Sequence, residues 1–107
     1  MHINPDKLRE RLEELGTDWA DKKAAAESFE ETKKVMLARL MKASDESTAA
    51  GKEREALASQ DYEEHIKIMI NARKEADKAK VRYECAKVYI EMLRSLESTK
   101  RAEMQLQ

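Results

Sequence analysis

From Ala58 to Met104 the chain keeps one heptad phase, with Ala58, Tyr62, His65, Met69, Ala72, Ala76, Ala79, Tyr83, Ala86, Ile90 and Leu93 at alternating steps of four and three. The series continues through Glu97 and Lys100 to Met104, turning polar before its last member. Such spacing predicts a long coiled-coil helix, because side chains three and four residues apart share one face. The alanines at its centre require whatever packs there to approach closely. This pattern constrains architecture strongly and names no chemistry.

A second series precedes it: Leu8, Leu12, Leu15, Trp19, Lys22, Ala26, Phe29, Lys33, Met36, Leu40 and Ala43, widened near its end by Val35, Leu37 and Met41. Asn4-Pro5 reads as its start, since asparagine caps free amides and proline at the first helical position has no amide to lose. Gly16 and Thr17 leave the phase intact, so Gly16 reads as a weak point in one helix, costing about 1 kcal/mol relative to alanine. A helix break with Thr17 as a new cap is the alternative. Between the series, Ala43 to Lys52 is polar and rich in turn formers, with Gly51 as helix end or turn pivot. The expected fold is all-α: a long antiparallel two-helix coiled-coil hairpin. Helix 1 spans about 5–43, the turn about 44–52 and helix 2 about 53–104, in a single domain over 1–107.

Charge supplies a register. If the turn centres near position 51, basic Lys33, Lys34, Arg39 and Lys42 face Asp61, Glu63 and Glu64, set against Lys67. Acidic Asp18, Asp21, Glu27, Glu30 and Glu31, set against Lys22 and Lys23, then face Arg73, Lys74, Lys78, Lys80 and Arg82, partly offset by Glu75, Asp77 and Glu84. Each exposed pair contributes only a few tenths of a kcal/mol, so the pattern selects register more than it stabilises. The same register sets Trp19 near Tyr83, Ala26 against Ala76, Phe29 toward Ala72, Leu12 against Ile90 and Leu40 near Tyr62. The seam is completed by Leu8, Leu15, Met36, His65, Met69, Ala79, Ala86 and Leu93.

One hairpin cannot cover all its apolar side chains. Leu57, Ile66, Ile68, Ile70, Val81, Val88, Tyr89 and Leu96 do not all face one partner helix. Of these, Ile66, Ile70, Val81, Val88, Tyr89 and Leu96 form the expected partner or oligomer face. Assembly into a four-helix bundle or higher homo-oligomer would cover them, as would an unidentified protein partner.

Composition excludes several classes. Charged residues are 40% of the chain and aromatics 5%, the balance of long helices rather than of a compact single-core globule. The unbroken apolar phase argues against disorder. With 21 basic and 22 acidic residues, no global field draws nucleic acid or anionic lipid. No apolar run approaches the roughly 20 residues of a membrane span, and Met1 to Glu10 lacks a signal sequence's apolar core. One cysteine rules out an internal disulfide framework. A cytoplasmic protein that does not enter membranes is expected.

His65 occupies a position that a heptad fills with an apolar residue, with Asp61, Glu63 and Glu64 nearby. A helical di-metal carboxylate site needs Glu-x-x-His on two helices, yet position 62 is tyrosine and the seam has no other histidine. A polar residue that tunes register is the simpler reading. Cys85 lacks a base, since His65 lies about 30 Å along the same helix, and reads as a small, partly buried side chain or an intersubunit contact. Met36, Met69 and Met104 fall on the seam, with Met41 and Met92 beside it, as core packing. Arg73, Lys74, Lys78 and Arg82 are candidates for a phosphate backbone, giving a nucleic-acid accessory role as the alternative function. They spread over several helix faces, and no outward aromatic accompanies them to stack a base. No glycine-rich phosphate loop, Cys-x-x-Cys pair or Ser/His/Asp set is present. No catalytic, cofactor or metal site is expected, and the protein reads as a non-enzyme.

Trp19 is followed by Ala20 and Asp21, without the Trp-x-Gly turn of the secreted helical hairpins. The stretch Gly51-Lys-Glu-Arg-Glu-Ala-Leu-Ala-Ser-Gln-Asp-Tyr-Glu-Glu-His65, continued by Arg82-Tyr-Glu-Cys-Ala-Lys87, resembles the small uncharacterised coiled-coil proteins of temperate phages and prophages. That resemblance implies a cytoplasmic accessory role, beside phage recombination proteins or against a host factor. It implies no catalytic motif.

Overall fold

The computed structural model describes residues 4–106. Among them the regular elements are all α-helices: α1 Pro5–Ala43, α2 Ala49–Leu57 and α3 Gln60–Leu106. The start of α1 follows from its cap. Asn4 Oδ1 accepts from the amides of Asp6 at 3.1 Å and Lys7 at 3.4 Å, and Pro5 takes the first position, where a donor is dispensable.

α1 runs through Gly16 without interruption, so the Thr17 break does not occur. A β-carbon at Gly16 would lie 3.4 and 3.6 Å from the Tyr83 ring, ordinary contact distances. Gly16→Ala is therefore expected to stabilise the fold by about 0.5–1 kcal/mol through helix propensity alone. That corresponds to a rise in Tm of roughly 3–5 °C, readable by thermal circular dichroism.

The segment after α1 differs from the expected turn over 44–52 and single helix over 53–104. Thr48 caps α2, its side chain accepting from the Gly51 amide at 3.0 Å. Gly51 is thus the third residue of a helix rather than a pivot, and none of the described residues has positive φ. Its missing side chain leaves room for Thr48 and Glu46, which a β-carbon would meet at 3.0–3.3 Å. Ser44 ties the connection to α2 by donating to Glu55 Oε2 at 2.7 Å. The second helix is then broken at Ala58-Ser59. The Ser59 hydroxyl donates to the Ala56 carbonyl at 2.7 Å and accepts from the Tyr62 amide at 3.2 Å. It closes one helix and caps the next. Ala58, the first member of the long series, is consequently an exposed cap residue, and Ala56 is the buried residue of α2.

The helices contribute to two compact units. One unit takes α1 up to Trp19 and α3 from Asp77, and the other is Ala20–Ala76. In the first, Leu15, Ala79 and Ile90 are buried, with Leu8, Leu12, Trp19, Tyr83, Ala86 and Leu93 half-buried around them. The Trp19 and Tyr83 rings lie 5.5 Å apart at a tilt of 34°, and Lys80 Nζ stands 6.0 Å from the indole. Asp18 and Arg82 approach to 3.9 Å.

In the second unit Ala26, Ala56, Met69, Ala76 and His65 are buried, flanked by half-buried Phe29, Met36, Leu40, Tyr62 and Ala72. Glu30 pairs with Arg73. The ring partner of Phe29 is His65, edge-on at 6.2 Å, where the simple register sets Phe29 toward Ala72. The ring contact does not mark a shifted register, since Glu30 still pairs with Arg73 as the charge blocks require; the Phe29 ring lies toward the start of α3.

Candidate interaction surface

His65 is buried and its ring nitrogen is committed. Nε2 donates to the Phe29 carbonyl at 3.0 Å. The Thr32 hydroxyl donates to the same carbonyl at 3.1 Å and lies 3.4 Å from Nε2. The carbonyl keeps the Thr32 donor if the imidazole is lost. His65→Leu should therefore stay within about 1 kcal/mol of the native stability, since an apolar group of similar shape replaces a modest net hydrogen bond. His65→Ala should cost about 2 kcal/mol through the void it leaves. Urea unfolding of the two variants separates these outcomes. Among the described residues no group of three histidines, cysteines or acids is arranged to hold a metal ion.

Two shallow grooves flank the buried rows. One, of about 390 Å³, is lined by Leu8, Arg11, Leu15, Arg82, Ala86, Tyr89 and Ile90. The other, of about 380 Å³, is lined by Thr32, Val35, Met36, Arg39, Leu40, Asp61 and His65. The second brings a cation, an acid and the histidine together, but the histidine already serves the backbone of α1.

Two of the phosphate candidates have acids beside them: Arg73 has Glu30 and Arg82 has Asp18. Lys78 also has a partner, and Lys80 stands over Trp19. Lys74 is exposed. The basic stretch is largely matched to acids or rings within the molecule.

The outer side of α3 is different. Val81, Val88, Tyr89, Met92 and Leu96 are each between 54% and 58% exposed, a high value for large apolar side chains. Ile70 is similarly exposed at 54%, whereas Ile66 is half-buried and drops out of an outward face because it flanks buried His65 and Met69. Cys85 is exposed, not partly buried, and Met92 lies outside the core.

These residues form a second period. Val81, Cys85, Val88 and Met92 are separated by steps of four, three and four. At about 100° per residue they lie opposite the row Ala79, Tyr83, Ala86, Ile90 and Leu93. This part of α3 is thus apolar on two opposing faces, one packed against α1 and one facing outward. Sequence reading assigned Val81, Val88, Tyr89 and Leu96 to this surface, gave Cys85 as a partly buried side chain or an intersubunit contact, and set Met92 in the core. The signal was the second four-three-four spacing, masked by the stronger inner one. Contiguous outward apolar surface on one helix face marks contact sites more often than scattered single residues do.

No helix among the described residues is long and apolar enough to cross a membrane. The chain matches no family model, and neither a curated protein nor a solved structure shows significant similarity to it.

Proposed function

We propose that the chain is a non-enzymatic protein–protein interaction module: an antiparallel coiled-coil hairpin of α1 and α3 that self-associates into a four-helix bundle or higher oligomer. The observation that carries this reading is the outward apolar face of α3, with Val81, Val88, Tyr89, Met92 and Leu96 all more than half exposed. The hairpin is supported by contacts in reversed order along the two helices, Asp18 with Arg82 in one unit and Glu30 with Arg73 in the other. The ion pairs of these two arginines favour protein binding over the nucleic-acid accessory role, since both side chains already meet acids of α1. The proposed role is a cytoplasmic accessory one, beside phage recombination proteins or against a host factor, as the resemblance to phage and prophage coiled-coil proteins implies.

Self-association makes thermal stability depend on protein concentration, because assembly binds only the folded form. The Tm is expected to rise by several degrees across a hundredfold increase in concentration. A Tm constant over that range would exclude the reading.

A further inference from the structure

The outer face of α3 carries its own pairing code, and it fits a second copy of this chain. This inference rests on the self-association just proposed and narrows it to a pair joined through α3 alone, with each α1 on the far side of its own α3 rather than in a shared four-helix core. Taken as the core of a coiled coil, Val81, Cys85, Val88 and Met92 are the alternating inward positions. The positions flanking this row on one side are Asp77, Glu84 and Glu91, all exposed. Those flanking it on the other side are Arg82, Tyr89 and Leu96.

The two flanks discriminate between orientations. In a parallel, in-register pair, each flank residue meets the residue five positions later on the second helix. Asp77 then meets Arg82 of the second copy, Glu84 meets Tyr89 and Glu91 meets Leu96. One opposite-charge pair forms on each side and no like charges meet. In an antiparallel pair the acidic flanks face each other. The alignment that superposes all four apolar layers, Val81 on Met92 and Cys85 on Val88, sets Glu84 against Glu91 of the second copy on both strands, in a contact that repels. Arg82 can serve both its own Asp18 and a second carboxylate, having five donors in a planar fork.

The same code limits the extent of the contact. One and two turns before Val81 the inward positions are Lys78 and Lys74, which would oppose their own copies in a parallel pair. After Met92 the inward positions are Ser95 and Thr99. The apolar contact therefore begins at Val81 and ends near Leu96.

We infer that two copies of this chain pair in parallel and in register through the outer face of α3 between Val81 and Leu96, with Cys85 meeting Cys85 across the two-fold axis. The geometry is tested by cross-linking with a short bis-maleimide, which joins two thiols held close together and needs no oxidant. The native chain is expected to give a covalent dimer. In the double variant Cys85→Ser with Ser95→Cys, a parallel pair keeps the two introduced thiols adjacent and again gives a covalent dimer. An antiparallel pair that superposes all four apolar layers would separate them by roughly 25 Å at 1.5 Å per residue. Val88→Asp, at an exposed position that leaves the inner row untouched, is expected to abolish both cross-links while circular dichroism stays helical. The inference is overturned if sedimentation shows an assembled species and the Ser95→Cys variant gives no covalent dimer, which leaves self-association standing. A chain that sediments as a monomer at every concentration overturns both.

Discussion

Replacing Trp19 with alanine is expected to destabilise the protein by about 3 kcal/mol. The indole packs against Tyr83 at 5.5 Å and beneath Lys80 at 6.0 Å, in a unit whose fully buried residues are otherwise few. Truncating a core aromatic costs roughly 3–5 kcal/mol; Trp19 is half-buried, which brings the figure toward the lower end. A ring pair adds about 0.5–1.5 kcal/mol beyond area burial. Against a total stability of about 5–15 kcal/mol for a chain of this size, the loss is a large fraction. Urea unfolding followed by far-UV circular dichroism measures it, and a change below about 1 kcal/mol would mean that Trp19 is not part of the core.

The second large effect distinguishes the two faces of α3. Ala79 is 1% exposed and Val81, two residues on, is 57% exposed. Ala79→Asp puts a carboxylate at an almost fully buried position, and is expected to cost about 3 kcal/mol or more. Val81→Asp places the same charge in water and should cost less than about 1 kcal/mol of the stability of a single chain. It should nevertheless weaken self-association, because it sets like charges opposite each other in the proposed pair. Equal destabilisation by the two substitutions would contradict the assignment of inner and outer faces.

The sequence was most legible where periodicity was longest. The rows Leu8 to Leu40 and Tyr62 to Leu93 lie on residues that are buried or half-buried in α1 and α3, because a constant three-four step selects one helix face. The two ion pairs Asp18–Arg82 and Glu30–Arg73 join the acidic block of α1 to the basic block of α3, as charge patterning implied.

The connection was less legible for a definite reason. A 3-4 series does not register a helix break when the next helix resumes near the same phase. Ala58 fits the period and is nonetheless a cap. The local chemistry carried the missing information: Ser59 is followed by Asp61 and Glu63, a capping hydroxyl before acids in a first helical turn. Gly51 was misread for the complementary reason. Glycine suggests a turn by default, but here Thr48 three residues earlier turns it into the third position of a capped helix.

The outer face was partly legible. Val81 and Val88 stand out as β-branched residues off the inner row, while Cys85 and Met92 do not, since both residue types are commonly buried. Their four-three-four spacing puts the four on one stripe, and only exposure shows that the stripe faces outward.

Sedimentation equilibrium of the native chain beside the Val88→Asp variant tests the central claim most directly. The native chain is expected to exceed its monomer mass of 12.4 kDa increasingly as concentration rises, whereas the variant remains at that mass with unchanged helical content. A native chain that stays at the monomer mass over the whole range, folded and indistinguishable from Val88→Asp, would contradict it.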